Sequence, residues 1–253
     1  MTRTPIQIAS ALFAGAMLWA GSAFSAGLQV SPILVELTKS QSNAIISLKN
    51  DGATPVRYQA NIVSWSQDES GQMKFAPTRD LVLFPQLLTL KPGEERNLRV
   101  GATGEKFGTL EKSYRVFVEE LPPAEKAGER TGVQVLTRVG IPVFLEPAKS
   151  VAAARIEAPR LEGNKVVFRL RNMGNIRVRP SEVIAEARAQ GGKAGARQRW
   201  DGWYVLAAED RLYQWPLPKE GCAQVRTVYI EARFEQGEPA RATVEVPRGS
   251  CTQ

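Results

Sequence analysis

The chain has 253 residues, of which 43% are apolar and 23% are charged, and its formal net charge is +7. This length is enough for two ordinary domains, and the composition is that of a globular rather than a disordered protein. Lys and Arg are scattered among Asp and Glu, without a block of like charges. We therefore expect a mildly basic, solvated surface and no binding to nucleic acid.

Several classes of enzyme are excluded by residues that the chain lacks. It contains no histidine, which removes His-dependent triads, His general bases and the common zinc sites. Two patterns of a serine nucleophile, Ser-x-x-Lys and Gly-x-Ser-x-Gly, do not occur either. The segment GATGEKFG at residues 101–108 has the wrong spacing for a phosphate-binding loop, and we interpret it as a plain loop. We predict a protein that is not an enzyme and has no catalytic residue, metal site or cofactor.

The first 25 residues have the pattern of a signal peptide. Arg3 supplies a positively charged N-terminal end, and residues 8–20 are mostly apolar. Ala23 and Ser25 are the small residues that a signal peptidase recognises before its cleavage site. No later segment reaches about 18 apolar residues, so we do not expect the mature chain to span a membrane. Export to an oxidising compartment favours a disulfide between the only two cysteines, Cys222 and Cys251.

Most of the remaining chain is predicted to form short strands separated by turns, with no convincing helix. Asn-Asp-Gly at residues 50–52 and Lys-Pro-Gly at residues 91–93 are turn sequences. Seven short strands at this spacing indicate an antiparallel β-sandwich in the first half. They cover residues 28–37, 44–48, 56–65, 81–90 with an interruption at Pro85, 95–100, 114–118 and 131–147.

The last of these strands, TGVQVLTRVGIPVFLEP at residues 131–147, has an unusual pattern. One face carries an apolar row, and the other face, with Leu136 and Phe144, is not properly polar. We therefore expect something to cover both faces. Two interpretations stay open: an edge strand that ends the first domain at Pro147, or a long core strand that bends from one sheet to another. The apolar row consists of Val133, Val135, Thr137, Val139, Ile141 and Val143.

The second half of the chain repeats a piece of the first. The segment SLKNDG at residues 47–52 matches RLRNMG at residues 169–174 with an offset of 122 positions, and a Val-Arg pair recurs at the same offset. This favours two sandwich domains over one large sheet, the first over residues 26–147 and the second over residues 148–253. The predicted strands of the second domain cover residues 166–170, 178–187, 203–206, 212–215, 225–234 and 240–246, with a flexible loop at residues 191–195.

A group of aromatic residues in the second domain suggests an alternative function. These side chains would offer a platform on which sugars stack, although aromatic residues at strand positions more often belong to a core. The alternative is an exported two-domain carbohydrate-binding or adhesion module. The group consists of Trp200, Trp203, Tyr204, Tyr213 and Trp215.

The chain as a whole resembles the periplasmic chaperones of the chaperone–usher pilus pathway, the family of PapD. The resemblance covers residues 28–147 well and the second domain loosely, through SPILVEL, LKNDGATPVRYQ, LTLKPGEERNLRV, YRVFVEELPP and GVQVLTRVGIPVFLEP. It implies an all-β protein of two immunoglobulin-like domains, whose first domain lends its last strand to a pilin that lacks its own final strand. It also implies a periplasmic location, pilin or fimbrial subunits as partners, and an outer-membrane usher as a further partner. The donor residues would be Val133, Val135, Thr137, Val139 and Ile141.

The chain departs from the common family pattern where the pilin is anchored. Most members carry an Arg in the first strand and a Lys near the end of the last strand, which together hold the pilin's C-terminal carboxylate. Pro32 and Pro142 stand at those positions here, and Glu146 replaces the basic residue usually found before the closing Pro. This resembles the archaic, spore-coat-U-like branch of the family, whose members start with a comparable strand.

A replacement for this anchor is expected near the base of the same strands. Arg is the side chain that meets both oxygens of a carboxylate at once. Antiparallel pairing of residues 114–120 with residues 132–144 would bring Arg115 near the level of Arg138. We predict these two as the anchor, with Lys112 and Arg99 as reserves, against the alternative that they are ordinary surface arginines.

Overall fold

The structure, a computed structural model, describes residues 27–104, 106–123, 135–235 and 237–250. Strands make up most of this part of the chain, and its only helices are two 3-10 turns at Gln190–Gly192 and Cys222–Gln224. The strands form two sandwiches in tandem, each with its own hydrophobic core. The predicted all-β fold is therefore confirmed.

The first domain is built from ten strands in two sheets. One sheet has the order β1-β3-β8-β6, and the other has the order β2-β10-β9-β4-β5, with β7 also paired to β4. The bounds are β1 (Leu28–Ser31), β2 (Val35–Leu37), β3 (Asn43–Asn50), β4 (Val56–Gln67), β5 (Met73–Pro77), β6 (Leu81–Phe84), β7 (Leu87–Leu90), β8 (Glu95–Ala102), β9 (Lys112–Glu120) and β10 (Arg138–Leu145).

Two predicted strands, at residues 28–37 and 81–90, are each divided at a proline. Proline has no backbone N–H to donate to a ladder, so pairing stops at Pro32 and at Pro85. The pieces before the prolines, β1 and β6, belong to one sheet, whereas the pieces after them, β2 and β7, belong to the other. The expectation of one continuous strand at residues 28–37 is thus wrong, and the chain changes sheet there.

The core of the first domain lies between its two sheets. Alternate residues of each strand point inward, as the period of two requires. Ile46 on β3 and Leu98 on β8 are fully buried, whereas their neighbours Ile45 and Arg99 face outward. Val116 on β9 completes this core from the other sheet.

The second domain has seven strands in two sheets, ordered β11-β12-β15 and β14-β13-β16-β17. The prediction of a strand at residues 203–206 is wrong, because Val205 makes only an isolated bridge, to Val178. Part of the predicted loop at residues 191–195 instead begins β14. The bounds are β11 (Ala154–Glu162), β12 (Lys165–Asn172), β13 (Pro180–Ala189), β14 (Ala194–Asp201), β15 (Asp210–Pro216), β16 (Val225–Phe234) and β17 (Ala240–Glu245).

The sequence repeat corresponds to the same turn in both domains. Asn50 ends β3 and Asn172 ends β12, and both side chains are buried. In each turn the Asn Oδ1 accepts a hydrogen bond of 2.9 Å from the N–H two residues later, at Gly52 and at Gly174. Each Nδ2 donates a hydrogen bond of 2.8 Å to the carbonyl four residues later. Each also donates one of 3.0 Å to a carbonyl of a neighbouring segment, at Leu90 and at Val205. The repeat is therefore a repeat of structure.

Candidate functional site

Strand β10 has two edges with different surroundings. One edge pairs along its whole length with β9, in the antiparallel sense. The other edge pairs with β2, in the parallel sense, only from Val143 to Leu145. In the described chain no strand pairs with residues 138–142 on that second side. The predicted edge strand is therefore present over the first part of β10 and is covered over its last part.

The backbone groups of this unpaired edge follow from the strand's alternation. The carbonyl of Thr137 points to β9, because it accepts a hydrogen bond of 2.8 Å from the N–H of Glu120. Alternate residues point to opposite neighbours, so the N–H and C=O groups of Arg138 and Gly140 point to the unpaired side. Pro142 has a carbonyl there but no N–H. A strand that pairs with this edge must therefore finish near Pro142, where β2 begins.

Arg115 lies opposite Pro142 on the neighbouring strand β9. Its side chain is only 7% exposed, and no carboxylate of the described chain pairs with it. Its Nη1 lies 2.7 Å from the Sδ of Met73, and its Nε has no hydrogen-bond partner in the described part. Burial lowers the pKa of this guanidinium, although an arginine still remains protonated. Among the described residues, the site therefore holds a buried positive charge without a carboxylate counter-ion.

The surroundings of Arg115 position its guanidinium at the junction of the two domains. The Cζ atom lies 4.8 Å from the ring centroid of Trp65 and 5.9 Å from that of Trp203. The Nε1 of Trp65 is also buried without a described partner, so two unpaired donors lie in this region. Gly140 leaves room for the arginine stem, since a Cβ there would be 3.2 Å from Arg115 Nε and 3.0 Å from Phe117 Cε1.

Arg138 lies on the same face of the sheet but at a different level. The register pairs Arg138 with Glu119, four residues along β9 from Arg115, which is about 13 Å. The expectation that the two arginines stand at one level is therefore corrected. Arg138 is 58% exposed, bridges Glu119 at 2.8 Å, and lies 3.9 Å from the ring centroid of Phe117.

The two reserve residues lie elsewhere. Lys112 pairs with Asp80 at 3.4 Å on the first-domain surface. Arg99 lies on β8, in the opposite sheet, and is exposed. Neither contacts Arg115 in the described structure.

The predicted donor row is divided by burial. Val133 lies outside the described residues. Val135 is 85% exposed, Thr137 is half-buried, and Val139 packs in part against the first-domain core. Ile141 is 1% exposed inside that core, so it already has a partner surface in its own domain. The available apolar surface of the row therefore belongs to its first part.

Both faces of β10 are covered near its end, as predicted. Val143 belongs to the core of the first domain, whereas Phe144, on the opposite face, is fully buried between the domains. Phe144 packs there with Trp65, Tyr204 and Leu206. The second domain thus supplies the cover that the sequence pattern required.

An ion-pair network beside this aromatic cluster joins the domains. Arg177 of the second domain pairs with Glu36 and Glu111 and, at 3.3 Å, with Glu146. Its Cζ also lies 3.9 Å from the ring centroid of Phe144. Glu146, which departs from the family pattern, therefore has a partner in the second domain.

Glu111 is the most deeply buried member of this network, with a side chain that is 0% exposed. Burial raises its pKa to about 6, although attraction to Arg177 and hydrogen bonds from it act in the opposite direction. Burial also lowers the pKa of Arg177, but the surrounding carboxylates outweigh it and the net shift is upward. The desolvation of the carboxylate thus decides the titration of Glu111.

A second contact between the domains is made by the turn after β4. The Nε2 of Gln67 donates a hydrogen bond of 2.9 Å to the carbonyl of Tyr204. The carbonyl of Glu69 accepts a hydrogen bond of 2.7 Å from the N–H of Leu212. Glu69 also pairs with Arg169 at 2.7 Å. Together with the Arg177 network, this turn fixes the two domains on either side of Arg115.

The aromatic residues of the second domain do not form a single platform. Trp200 and Tyr213 pack with Phe168 around the second-domain core. Tyr204 belongs to the cluster between the domains, and Trp203 packs against it. Trp215 is buried in the second-domain core. The geometry therefore gives no support to the sugar-stacking interpretation.

Three further points concern the predicted absences and the cysteines. Cys222 is buried in the second-domain core, whereas Cys251 lies outside the described residues, so their disulfide stays a prediction. In the described ranges, no His, Cys, Asp or Glu cluster is suitable for a metal ion. The same ranges contain no helix that is long and apolar enough to cross a membrane.

Solved structures with a similar fold come from chaperone–usher systems. A chain of the CsuC–CsuE chaperone–tip adhesion subunit pre-assembly complex, from archaic Csu pili of Acinetobacter baumannii, matches with a TM-score of 0.58 and 18% identity, over 87% of this chain and 98% of that one. The E. coli chaperone DraB matches with a TM-score of 0.52 and 20% identity, over 88% and 97%. A chain of the SafA pilin–SafB chaperone complex of Salmonella enterica matches with a TM-score of 0.56 and 16% identity, over 86% and 96%. At these identities the matches establish the two-domain fold.

The sequence comparisons address the family directly. No curated protein matches the chain. The model of the PapD N-terminal domain, described as a pili and flagellar-assembly chaperone, matches residues 27–151. That segment contains both sheets of the first domain and the whole of β10. The chain therefore belongs to the PapD-like family of pilus-assembly chaperones, which are not enzymes.

Proposed function

We propose that this protein is a periplasmic chaperone that folds and caps pilin or fimbrial subunits by donor-strand complementation. In this mechanism the first part of β10, with the residues that precede it, pairs with a subunit that lacks its final strand. We propose that the chaperone domain with the donor strand covers residues 26–147, and that the second immunoglobulin-like domain covers residues 148–253. An outer-membrane usher then receives the subunit, as is usual for the family.

The observation that carries this proposal is the unpaired Arg115 at the end of an unpaired strand edge. A buried charge without a partner is costly, so its retention calls for a ligand that neutralises it. A subunit strand along residues 138–142 must end near Pro142, and Arg115 lies opposite that residue. The strand's free carboxylate would then meet the guanidinium in a charge-assisted contact.

The donor residues in this proposal are Val135, Thr137 and Val139, together with Val133. Val135 is the most exposed of those described, and its burial in a subunit groove would be favourable by about 1.5 to 3 kcal/mol. Ile141 is left out because it already lies in the first-domain core. The role of Arg138 is secondary, since Glu119 already neutralises its charge.

The archaic branch of the family is the one that we favour. The first strand begins with SPILVEL, and neither Pro32 nor Pro142 can supply the positive charge of the common pattern. One of the similar structures is a complex from an archaic chaperone–usher system. The carbohydrate-binding alternative loses its basis, because the aromatic residues of the second domain lie in separate clusters.

The experiment is capture of the subunit by affinity-tagged chaperone from periplasmic extract. Arg115→Ala should reduce capture at least tenfold, with a melting temperature that is unchanged or higher because an unpaired buried charge is removed. Arg138→Ala should have a smaller effect. The matched control is Arg96→Ala, which changes an arginine on the opposite sheet that is 61% exposed. Undiminished capture by Arg115→Ala would contradict the proposed anchor.

A further inference from the structure

The turn that follows β12 lies against the segment that joins the two domains. We call residues 172–177 the junction turn and residues 148–153 the linker. The N–H of Asn175 donates a hydrogen bond of 2.9 Å to the carbonyl of Val151, and the N–H of Val151 donates one of 2.7 Å to Oδ1 of Asn175. Gly174 permits this close approach, because a Cβ there would lie 2.1 Å from the carbonyl oxygen of Val151. The junction turn and the linker are therefore tied in both directions.

Asn175 also holds the first domain. Its Nδ2 donates hydrogen bonds of 2.9 Å to the carbonyl of Thr109 and of 2.8 Å to the carbonyl of Lys149. Its own carbonyl accepts a hydrogen bond of 2.8 Å from the N–H of Glu111. Two residues later, the N–H of Arg177 donates a hydrogen bond of 2.9 Å to the carboxylate of Glu111. Asn175 thus joins the second domain to the linker and to the segment that leads into β9.

The internal repeat shows that these contacts are additions to the turn. At the offset of 122 positions, Asn175 and Arg177 correspond to Ala53 and Pro55 in the first domain. The side chains of Ala and Pro form no hydrogen bonds. The first-domain turn nevertheless keeps the hydrogen bonds of its buried Asn50. The turn itself therefore does not need Asn175, and the polar side chains of the second copy serve the contact with the first domain.

The junction turn lies near the start of the strand that carries Arg115. Glu111 directly precedes β9, and Arg115 is four residues further along the chain, which is about 13 Å. Trp203 of the second domain lies with its ring centroid 5.9 Å from the Cζ of Arg115. Because these two residues belong to different domains, their contact depends on the angle between the domains. A change of that angle would alter the surroundings of the guanidinium.

We propose that Asn175 is a positioning residue for subunit binding, which fixes the angle between the two domains and thereby holds Trp203 over Arg115. This inference rests on the proposed function and adds to it a residue on which the geometry of the junction depends. Asn175 is half-buried, so water competes for its hydrogen bonds and each contributes little alone. Together they restrict three segments at once. Without them other domain angles become populated, and the apparent affinity for a subunit falls with the fraction of chaperone in the competent state.

The first measurement on Asn175→Ala needs no subunit. NMR amide hydrogen exchange reports on the N–H of Leu212, which donates to the carbonyl of Glu69 at the second contact between the domains. Exchange at Leu212 should be about fivefold faster in Asn175→Ala than in the wild type, since a looser angle opens this distant contact more often. A purely local role of Asn175 would leave Leu212 unchanged. The variant should fold, because the first-domain copy of the turn has Ala53 at this position.

Three further variants assign the effect to the junction turn. Gly174→Ala disturbs the same contact by another route, since its Cβ would displace the linker, and it should also accelerate exchange at Leu212. Asn175→Asp keeps the acceptor for Val151 but loses both Nδ2 donors, so it should resemble Asn175→Ala. Ala53→Asn is the matched control, because it changes the same position of the first-domain turn, where the residue is exposed. It should exchange like the wild type.

The second measurement is capture of the subunit from periplasmic extract, which should fall about fivefold in Asn175→Ala and stay unchanged in Ala53→Asn. Unchanged exchange at Leu212 in both Asn175→Ala and Gly174→Ala would overturn the inference. Faster exchange with undiminished capture would do the same, because the angle would then not matter for binding. No capture by the wild type would instead overturn the proposed function, whatever the exchange at Leu212.

Discussion

Arg115 on β9 lies directly opposite Pro142 on β10, at the level where β2 begins to pair with that strand. The family commonly uses a lysine near the end of the last strand, and here that position is a proline. In the anchor that we propose, the positive charge would come instead from Arg115 on the neighbouring strand, on the same face of the sheet.

Gly140→Ala should weaken subunit capture about tenfold without much effect on stability. The new Cβ would stand 3.2 Å from Arg115 Nε and 3.0 Å from Phe117 Cε1, so both side chains must move. The measurement is subunit capture together with the melting temperature. Gly101→Ala is the control, because the nearest atom to its Cβ would be Asn43 Cβ at 3.5 Å. Full capture by Gly140→Ala would show that the position of Arg115 is not critical.

Val135→Asp should abolish capture while the protein remains folded. Val135 is 85% exposed, so the free chaperone should tolerate the change within about 0.5 kcal/mol. In the complex the carboxylate would be buried without a partner. Capture and urea denaturation are the two measurements, and Val82→Asp on the opposite sheet is the control. Normal amounts of bound subunit with Val135→Asp would rule out this residue as a donor.

Asn172→Ala should destabilise the second domain by about 3 kcal/mol. The substitution removes the side-chain partners of the Ile176 carbonyl and the Gly174 N–H, and one of the two donors to the Val205 carbonyl, in a buried turn. Chemical denaturation measures the loss. The control, Asn97→Ala, changes an exposed residue and should be nearly neutral. A loss below about 1 kcal/mol would mean that water replaces these hydrogen bonds at little cost.

Glu111→Gln should change the dependence of stability on pH. The pKa of Glu111 is about 6 in the folded protein, above its ordinary value of 4.5, because burial disfavours the charged form. The folded state therefore binds the proton more tightly, so the contribution of Glu111 to stability is largest below pH 4.5 and decreases as the pH rises through 6. The decrease corresponds to about 2 kcal/mol.

Urea denaturation at pH 4.5, 5.5 and 7 tests this linkage. The free energy of unfolding of the wild type, relative to that of Glu111→Gln, should fall by about 2 kcal/mol over this interval, since the glutamine does not titrate. Glu36 and Glu146 are present in both proteins and cancel in the difference to first order. A difference that stays constant with pH would show that Glu111 titrates at its ordinary value.

Reduction of a disulfide between Cys222 and Cys251 should destabilise the second domain. The bridge would close a loop of about 30 residues, for which loop entropy predicts about 3 to 4 kcal/mol at 25 °C. Denaturation with and without reductant measures this, and a Cys222→Ser/Cys251→Ser variant should not respond to reductant. Two reactive thiols in unfolded, unreduced protein would exclude the bridge.

The sequence by itself determined the local features of this protein. The period of two predicted an all-β fold, because side chains alternate between the two sides of a strand. The match between SLKNDG and RLRNMG identified the two domains, since a buried Asn and a following Gly form the same turn in each. The apolar pattern of residues 131–147 also indicated that both faces are covered, which holds for the last part of β10, from Ile141 to Leu145.

The tertiary structure decided what depends on pairing between distant segments. Residues 28–37 alternate like one strand, but Pro32 ends the first piece, and only pairing across the domain assigns β1 and β2 to different sheets. Register likewise placed Arg115 opposite Pro142, because a shift of pairing along a ladder leaves the sequence pattern unchanged. Arg115 has no carboxylate partner among the described residues because the second domain and Trp65 bury its guanidinium. Glu119, a carboxylate on the same strand, pairs with Arg138 instead. These contacts join distant segments, so no local sequence pattern shows them.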